Sequence, residues 1–88
     1  MERFAEVFEQ DGRQFLFYVE PDGDDYKLHQ IGQCDFGQVD LVVTLEGFPD
    51  SIDTPEKMFA EITREIPISA MAVNLIKTVA ALQREVSQ

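Results

Sequence analysis

The Asp11-Gly12 dipeptide constrains this chain more than any other feature, because it separates two runs of strand-forming residues, 3–10 and 13–20. A two-residue Asp-Gly connection favours a type I′ turn, which requires positive φ at both central residues. The turn fixes the register of the predicted hairpin, so that Phe8 faces Phe15 across it. One face of that hairpin is apolar apart from a single acid, and it consists of Phe4, Glu6, Phe8, Phe15, Phe17 and Val19.

The open end and the second face of the hairpin carry two further predictions. Arg3 faces Glu20 in the same register, which predicts a charge pair at the open end. The second face is too apolar for a surface that meets only water, so we expect something to cover part of it. Its residues are Ala5, Val7, Leu16 and Tyr18.

Two more strands are predicted downstream of the hairpin. A turn at 21–25 leads into a strand over 26–31, and a looser connection follows over 32–37. Alternating apolar residues then predict a strand over 38–46, with Val39, Leu41, Val43 and Leu45 on one face. Each connection is short enough for antiparallel neighbours, so the four strands are predicted to form a meander.

After Pro49 the apolar spacing becomes helical. Thr54 supplies an N-cap hydroxyl and Pro55 a first-turn proline, and the apolar stripe of this helix is Met58, Phe59, Ile62 and Ile66. Pro67 is expected to end it. A second helix is predicted from Pro67 or Ser69 to about Val86, and its seam is Ile68, Ala72, Leu75, Val79, Leu82 and Val86.

These elements predict an α+β fold, in which a four-stranded antiparallel meander (1–48) is followed by two C-terminal helices (53–88) packed on one face. A chain of 88 residues allows one small domain, 1–88. One cysteine and one histidine are too few for an internal disulfide or a structural zinc set. The longest apolar run, 15–19, is far too short for a membrane span, and no signal-peptide pattern is present, so a cytoplasmic protein is expected.

The charge is unevenly distributed along the chain. The net charge is −10, and residues 1–50 contribute −9 of it, with twelve acidic and three basic residues. Such a half-chain disfavours direct binding to nucleic acid, because a site for phosphates must collect lysine and arginine. An acidic sheet can instead occupy a basic groove on another protein, although acidity also serves simply to keep a protein soluble.

Two candidate sites for chemistry fail on their spacing or surroundings. Asp22, Asp24 and Asp25 resemble a hard-cation loop, but Gly23 is misplaced for an EF-hand and no acid occupies the twelfth position, so a solvated turn is favoured. Cys34 with His29 and Asp35 resembles a nucleophile, base and orienting group, but the acidic surroundings disfavour a thiolate. No metal, cofactor or catalytic residue is therefore expected.

The layout of four antiparallel strands followed by two helices in a small acidic chain resembles that of some phage-encoded anti-CRISPR proteins. As a class, those proteins bind the nucleic-acid-recognising surfaces of CRISPR effector complexes. The resemblance spans roughly the whole chain, but it is one of layout without a shared residue motif, so it transfers no functional residue. It implies an inhibitor that occupies a basic surface of a nucleic-acid-binding protein.

The sequence therefore predicts a non-enzymatic protein-binding module or inhibitor that presents an acidic sheet and turn surface to a basic partner. Tyrosines are included in the predicted surface because interfaces favour aromatic anchors. The residues expected there are Tyr18, Glu20, Asp22, Asp24, Asp25, Tyr26, Asp40 and Glu46.

A structural or chaperone-like subunit is the alternative function. The apolar arc of the second helix extends beyond half its circumference, which suits either a central core helix or a seam for a partner. In the second case the chain would homodimerise or bind a client through this helix and the second face of the hairpin. That surface is predicted to contain Ala5, Val7, Leu16, Val73, Ile76 and Ala80.

Overall fold

Four antiparallel strands in chain order form one sheet, and two helices follow them. The computed structural model describes residues 3–34 and 37–86. The predicted ββββαα layout is confirmed. The elements are β1 (Phe4–Gln10), β2 (Arg13–Asp22), β3 (Asp25–Cys34), β4 (Gly37–Leu45), α1 (Pro55–Glu65) and α2 (Ile68–Val86).

The first hairpin has the predicted turn and register. Asp11 and Gly12 have φ of 54° and 77°, as a type I′ turn requires. Phe8 pairs with Phe15 along β1 and β2. The expected charge pair at the open end is also present, because Arg3 Nε lies 3.4 Å from a carboxylate oxygen of Glu20.

The second hairpin is tighter than the sequence suggested. Pro21 and Asp22 belong to β2, and only Gly23 and Asp24 lie between the two strands. Gly23 has a φ of 63°, which suits the first central position of a type II′ turn. Proline is tolerated in β2 here because the pairing of β1 with β2 begins at Phe4 and Val19, so Pro21 pairs only with Tyr26 of β3 among the described strands.

Gly32 lies within β3, although the sequence placed it in a connection. It pairs with Phe15 of β2, and a Cβ atom at this position would lie 2.9 Å from the Phe15 ring and 3.1 Å from Leu75 of α2. Its small size therefore lets α2 approach the sheet closely.

The core lies between the inner face of the sheet and both helices. The two helices pack on this one face, and Phe59 of α1 lies against Phe4 of β1 with ring centroids 5.3 Å apart. Glu6 shares the inner face of β1 but is exposed. The buried apolar residues are Phe15, Phe17, Val19, Tyr26, Leu28, Met58, Phe59, Met71, Ala72, Leu75 and Val79.

The first helix begins as predicted and ends before its last predicted core residue. The Thr54 hydroxyl accepts a hydrogen bond from the Lys57 amide at 3.2 Å, and Pro55 is the first helical residue. Ile66, predicted to lie in the apolar stripe, is 42 % exposed. It is the C-cap residue with extended φ and ψ, so its side chain leaves the helical stripe.

The second helix crosses the strands from the first hairpin turn to β4. Val73 lies near Gln10, whereas Leu82 lies near Val39 and Leu41. Leu82, predicted as a core residue, is 49 % exposed because it lies over an edge strand with no further described strand beyond it. The side chain of Val86 lies outside the described part of the chain.

Neither helix, as far as the structure describes them, is by itself long and apolar enough to cross a membrane. The two helices satisfy such a test only together, as a pair bent by 82°.

Candidate acidic binding pocket

An acidic pocket of about 460 Å³ opens where the β2–β3 turn meets the loop between β4 and α1. The two segments meet because Tyr26, next to the turn, pairs with Leu45 at the end of β4. The pocket gathers four carboxylates from parts of the chain that are far apart in sequence. Its lining consists of Pro21, Gly23, Asp24, Asp25, Tyr26, Phe48, Asp50, Ile52 and Asp53.

Local backbone structure positions the carboxylates on the two sides of this pocket. The tight turn at Gly23 places Asp24 and Asp25 on one side. In the opposite loop, the Ile52 amide donates a hydrogen bond to the Pro49 carbonyl at 3.0 Å. This turn carries Asp50 and leads directly into the cap of α1, so both walls of the pocket are tied to regular structure.

Two aromatic rings lie beneath the carboxylates. The Tyr26 and Phe48 rings are tilted against each other with centroids 5.2 Å apart. Tyr26 was predicted as an exposed anchor, but it is only 7 % exposed. The alternation of β3 explains this difference, because Tyr26 shares the inner face with Leu28. It therefore supports the pocket from below rather than projecting toward a partner.

One carboxylate of the pocket is already paired with a lysine. Lys57 Nζ donates a hydrogen bond to Asp53 Oδ1 at 2.8 Å, one helical turn into α1. This hydrogen bond, together with the ammonium charge, lowers the pKa of Asp53 below its ordinary value. The same contact raises the pKa of Lys57.

The remaining three carboxylates of the pocket differ from the acids nearby. Glu20 and Asp22 lie in ion pairs, the second with Lys27 at 3.8 Å. Among the described residues, no ion pair joins a cation to any member of the unpaired set, which consists of Asp24, Asp25 and Asp50. The pocket is thus concave, apolar at its base and negatively charged.

The outer face of the sheet carries a cluster of four interacting side chains. The Tyr18 and His29 rings stack with centroids 4.2 Å apart, and Arg3 lies over the Tyr18 ring at 5.7 Å. His29 Nε2 lies 2.9 Å from Glu20 Oε1, while the buried His29 Nδ1 has no hydrogen-bond partner within the described part of the chain. Tyr18 and Glu20, both predicted as partner-binding residues, therefore lie together on the outer face and are engaged with neighbouring side chains.

The other predicted partner residues lie on or next to β4. Asp40 is exposed on the outer face, five residues from the end of the strand near the pocket. That separation corresponds to about 17 Å along a strand. Glu46 directly follows β4 at its pocket end and is exposed. Glu46 thus follows the residue that pairs with Tyr26 but does not line the pocket, and Asp40 lies apart from it.

The predicted oligomer face is divided between two sides of the molecule. Ala5, Val7 and Leu16 lie on the outer face of the sheet, which the helices do not cover. The helical members of the set, Val73, Ile76 and Ala80, lie on α2 across the sheet. Val73 and Ile76 line a separate groove beside the first hairpin turn. These six residues therefore do not form one continuous surface.

The described ranges 3–34 and 37–86 contain no group of three histidine, cysteine, aspartate or glutamate side chains arranged to hold a metal ion. Of the suggested nucleophilic group, Asp35 and the Cys34 side chain lie outside the described part. His29 contacts Tyr18 and Glu20 instead.

Comparison with known proteins yields no match to a family model, to a curated protein or to a solved structure. The pocket must therefore be interpreted from its own geometry. Sequence reasoning identified the turn aspartates but missed Asp50 and Asp53. The only available signal was the composition of the 47–53 loop, whose proximity to the turn depends on the pairing of β3 with β4.

Proposed function

We propose that this protein is a non-enzymatic protein-binding module that receives a basic side chain of its partner in the acidic pocket. One observation carries the proposal: Asp24, Asp25 and Asp50 share a concave site above an aromatic base, and no cation among residues 3–34 and 37–86 forms an ion pair with them. An arginine or lysine of a partner would supply the missing charge through charge-assisted hydrogen bonds. Inhibition of a protein with a basic groove is one role that such binding serves.

The acidic first half of the chain supports the same proposal at longer range. Its net charge of −9 attracts a basic surface before contact, which raises the association rate and makes it sensitive to salt. The pocket then supplies the specific contact. Binding should weaken as salt rises, and reversing the charges of Asp22, Asp24 and Asp25 should reduce both the affinity and its salt dependence.

A defined peptide tests the pocket directly. The probe is a Gly-Gly-Arg-Gly-Gly amide, compared with the same peptide carrying neutral citrulline in place of arginine. We expect the arginine peptide to shift the backbone amide resonances of residues 23–26 and 48–53 in ¹⁵N-labelled protein, and the citrulline peptide to leave them in place. Shifts that spread evenly over all acidic segments would contradict a specific pocket.

Two variants with the same change in net charge separate the pocket from general acidity. The pocket variant is D24N/D25N/D50N, and the control variant is E6Q/E9Q/E85Q, whose three glutamates are exposed elsewhere. The pocket variant should lose the peptide response and the control should keep it. As baits in the native lysate, only the wild type and the control should capture a basic protein that elutes at moderate salt.

The outer sheet face favours a second candidate function, the binding of an apolar client. Val7 is 71 % exposed there and Leu16 is half-buried, although both helices pack on the opposite face. An uncovered face with such residues is typical of an interaction surface. Val7→Glu distinguishes the two functions, since it should abolish capture of an apolar client that resists high salt and leave the peptide response of the pocket unchanged.

A further inference from the structure

Exposed apolar side chains concentrate at the β4 edge of the sheet. Among the described residues, six large hydrophobic side chains are exposed, and three of them lie on β4 or on the part of α2 above it. Val42 is 46 % exposed on the outer face, and Val43 is 40 % exposed on the inner face. Leu82 of α2 is 49 % exposed beside a groove of about 270 Å³ that Val39 and Leu41 also line.

Within the described ranges, the β4 edge also carries little of the usual protection of an edge strand. β4 has nine residues, its only charge is Asp40, and it contains no proline or lysine. Among the described strands it pairs with β3 alone. The other edge strand, β1, carries Glu6 and Glu9 within seven residues. Charges of this kind discourage pairing between sheet edges, so β4 is the edge more suited to accept another strand.

We propose that β4 pairs antiparallel with β4 of a second copy of this chain, about a two-fold axis at Val42, to give a continuous eight-stranded sheet. This register places Val42 opposite itself and Asp40 opposite Thr44, so no carboxylate faces another within the strands. On the inner face it pairs Leu41 with Val43. An interface of this type is self-complementary, as a two-fold dimer requires.

The groove beneath α2 explains why a second copy fits better than an arbitrary strand. Leu82 lies over Val39 and Leu41 of its own chain. In the proposed register, Leu41 pairs with Val43 of the second copy, which places that exposed valine next to Leu82. Val43 and Leu82, the large hydrophobic side chains that are exposed on the helical side of this edge among the described residues, therefore cover each other in both halves of the dimer.

Length and charge set the expected strength of this dimer. Nine residues give an edge of about 30 Å, which places the interface toward the small end of protein interfaces. We therefore expect a dissociation constant in about the micromolar range. Each copy carries a net charge of −10, so screening by salt should strengthen dimerisation.

Sedimentation equilibrium of the purified chain at low and high salt tests the proposal. We expect a monomer–dimer equilibrium that shifts toward dimer as salt rises. Val42→Glu should raise the dissociation constant at least about tenfold, because two carboxylates would meet at the axis. Val7→Glu is the matched control, since it makes the same change on the outer face of the opposite edge strand, and it should leave the equilibrium unchanged.

A second pair of variants leaves the strand itself intact. Leu82→Gln should weaken the dimer without changing net charge, whereas Val73→Gln, on the same helix away from β4, should not. Circular dichroism confirms that each variant remains folded. A wild-type chain that stays monomeric at high salt and at a concentration of about 100 µM would overturn the proposal. Equal changes in the dissociation constant for Val42→Glu and Val7→Glu, or for Leu82→Gln and Val73→Gln, would also overturn it.

Cross-linking tests the register. In a Cys34→Ser chain, Val42→Cys should form a disulfide-linked dimer under mild oxidation, and Val7→Cys should not. Equal cross-linking of both would refute the β4 register. Because dimerisation is measured without any partner, its failure would leave the acidic pocket untouched, and loss of peptide binding would leave the dimer untouched.

Discussion

Gly32 shows how one residue sets the distance between helix and sheet. A methyl group there would lie 2.9 Å from the Phe15 ring and 3.1 Å from Leu75. Both neighbours are buried, so neither moves away freely. We expect Gly32→Ala to lower the free energy of unfolding by about 1–3 kcal/mol, as overpacking of a core does. Urea denaturation of the wild type and the variant measures this difference.

A double-mutant cycle distinguishes this steric cause from a change in backbone freedom. Phe15→Leu removes part of the ring that the new methyl group would meet. If the clash is the cause, Gly32→Ala should cost less in the Phe15→Leu background than in the wild type. Equal costs in both backgrounds would show that the contact with Phe15 does not matter.

The Asp53–Lys57 pair gives a residue-level prediction for pH. Because the pKa of Asp53 is lowered, the contribution of this ion pair to the stability of the fold is present at neutral pH. It is lost as the pH falls through that lowered value. Because the pKa of Lys57 is raised, the stabilising contribution of the pair also persists in moderate alkali. It is lost as the pH rises through the raised pKa of Lys57.

Lys57→Gln should therefore lower the melting temperature slightly at pH 7 and have no effect in strong acid. Melting curves from pH 2 to 8 test this expectation. Lys77→Gln, at an exposed position on α2, is the control that removes the same charge. A difference between wild type and Lys57→Gln that persists unchanged to the acidic end of this pH range would contradict the role given to this pair.

Among the elements, α1 begins at a side-chain cap. The Thr54 hydroxyl accepts a hydrogen bond from the Lys57 amide at 3.2 Å, which satisfies one of the free N–H donors at the helix N-terminus. Thr54→Ala should lower the free energy of unfolding by about 1 kcal/mol. Thr54→Ser keeps the hydroxyl and should remain close to the wild type. Equal losses in both variants by urea denaturation would exclude the cap as the cause.

The sequence predicts elements best where local chemistry decides them. The Asp11-Gly12 turn requires two positive φ values and thereby sets the register of the first hairpin, and the order Thr54-Pro55 places the start of α1. Gly32 and Pro21 were misplaced because both residues usually end strands. The place of Gly32 in β3 depends on the packing of α2 above the sheet, and the place of Pro21 in β2 depends on where β1 begins. Local sequence encodes neither of these tertiary relations.

The candidate pocket was only partly predictable for the same reason. The turn aspartates are visible as a cluster in the sequence, but Asp50 joins them through the pairing of Tyr26 with Leu45. Tyr26 itself was assigned to the surface, because its residue type is common at interfaces and the face of β3 it occupies depends on strand pairing. Tertiary contacts therefore determine both the composition of the pocket and the support beneath it.

At the scale of the whole molecule, the uncompensated acids should reduce stability where they are closest together. Asp24, Asp25 and Asp50 share one pocket, and seventeen acidic residues face seven basic ones in the chain. Like charges in a compact state repel one another, and functional sites commonly lower the stability of a protein in this way. Relief of this repulsion should therefore stabilise the fold while it removes the proposed binding.

We expect D24N/D25N/D50N to raise the free energy of unfolding by about 0.5–2 kcal/mol at low ionic strength, because asparagine also suits the turn. The E6Q/E9Q/E85Q control changes net charge equally, but Glu6 and Glu9 lie on opposite faces of β1 and Glu85 lies on α2, so its gain should be smaller. Urea denaturation over a salt series measures both. In about 1 M salt, where screening acts over roughly 3 Å, the advantage of the pocket variant should disappear. An advantage that survives high salt would have to come from the turn rather than from charge, and equal gains in the two variants would mean that the pocket concentrates no repulsion.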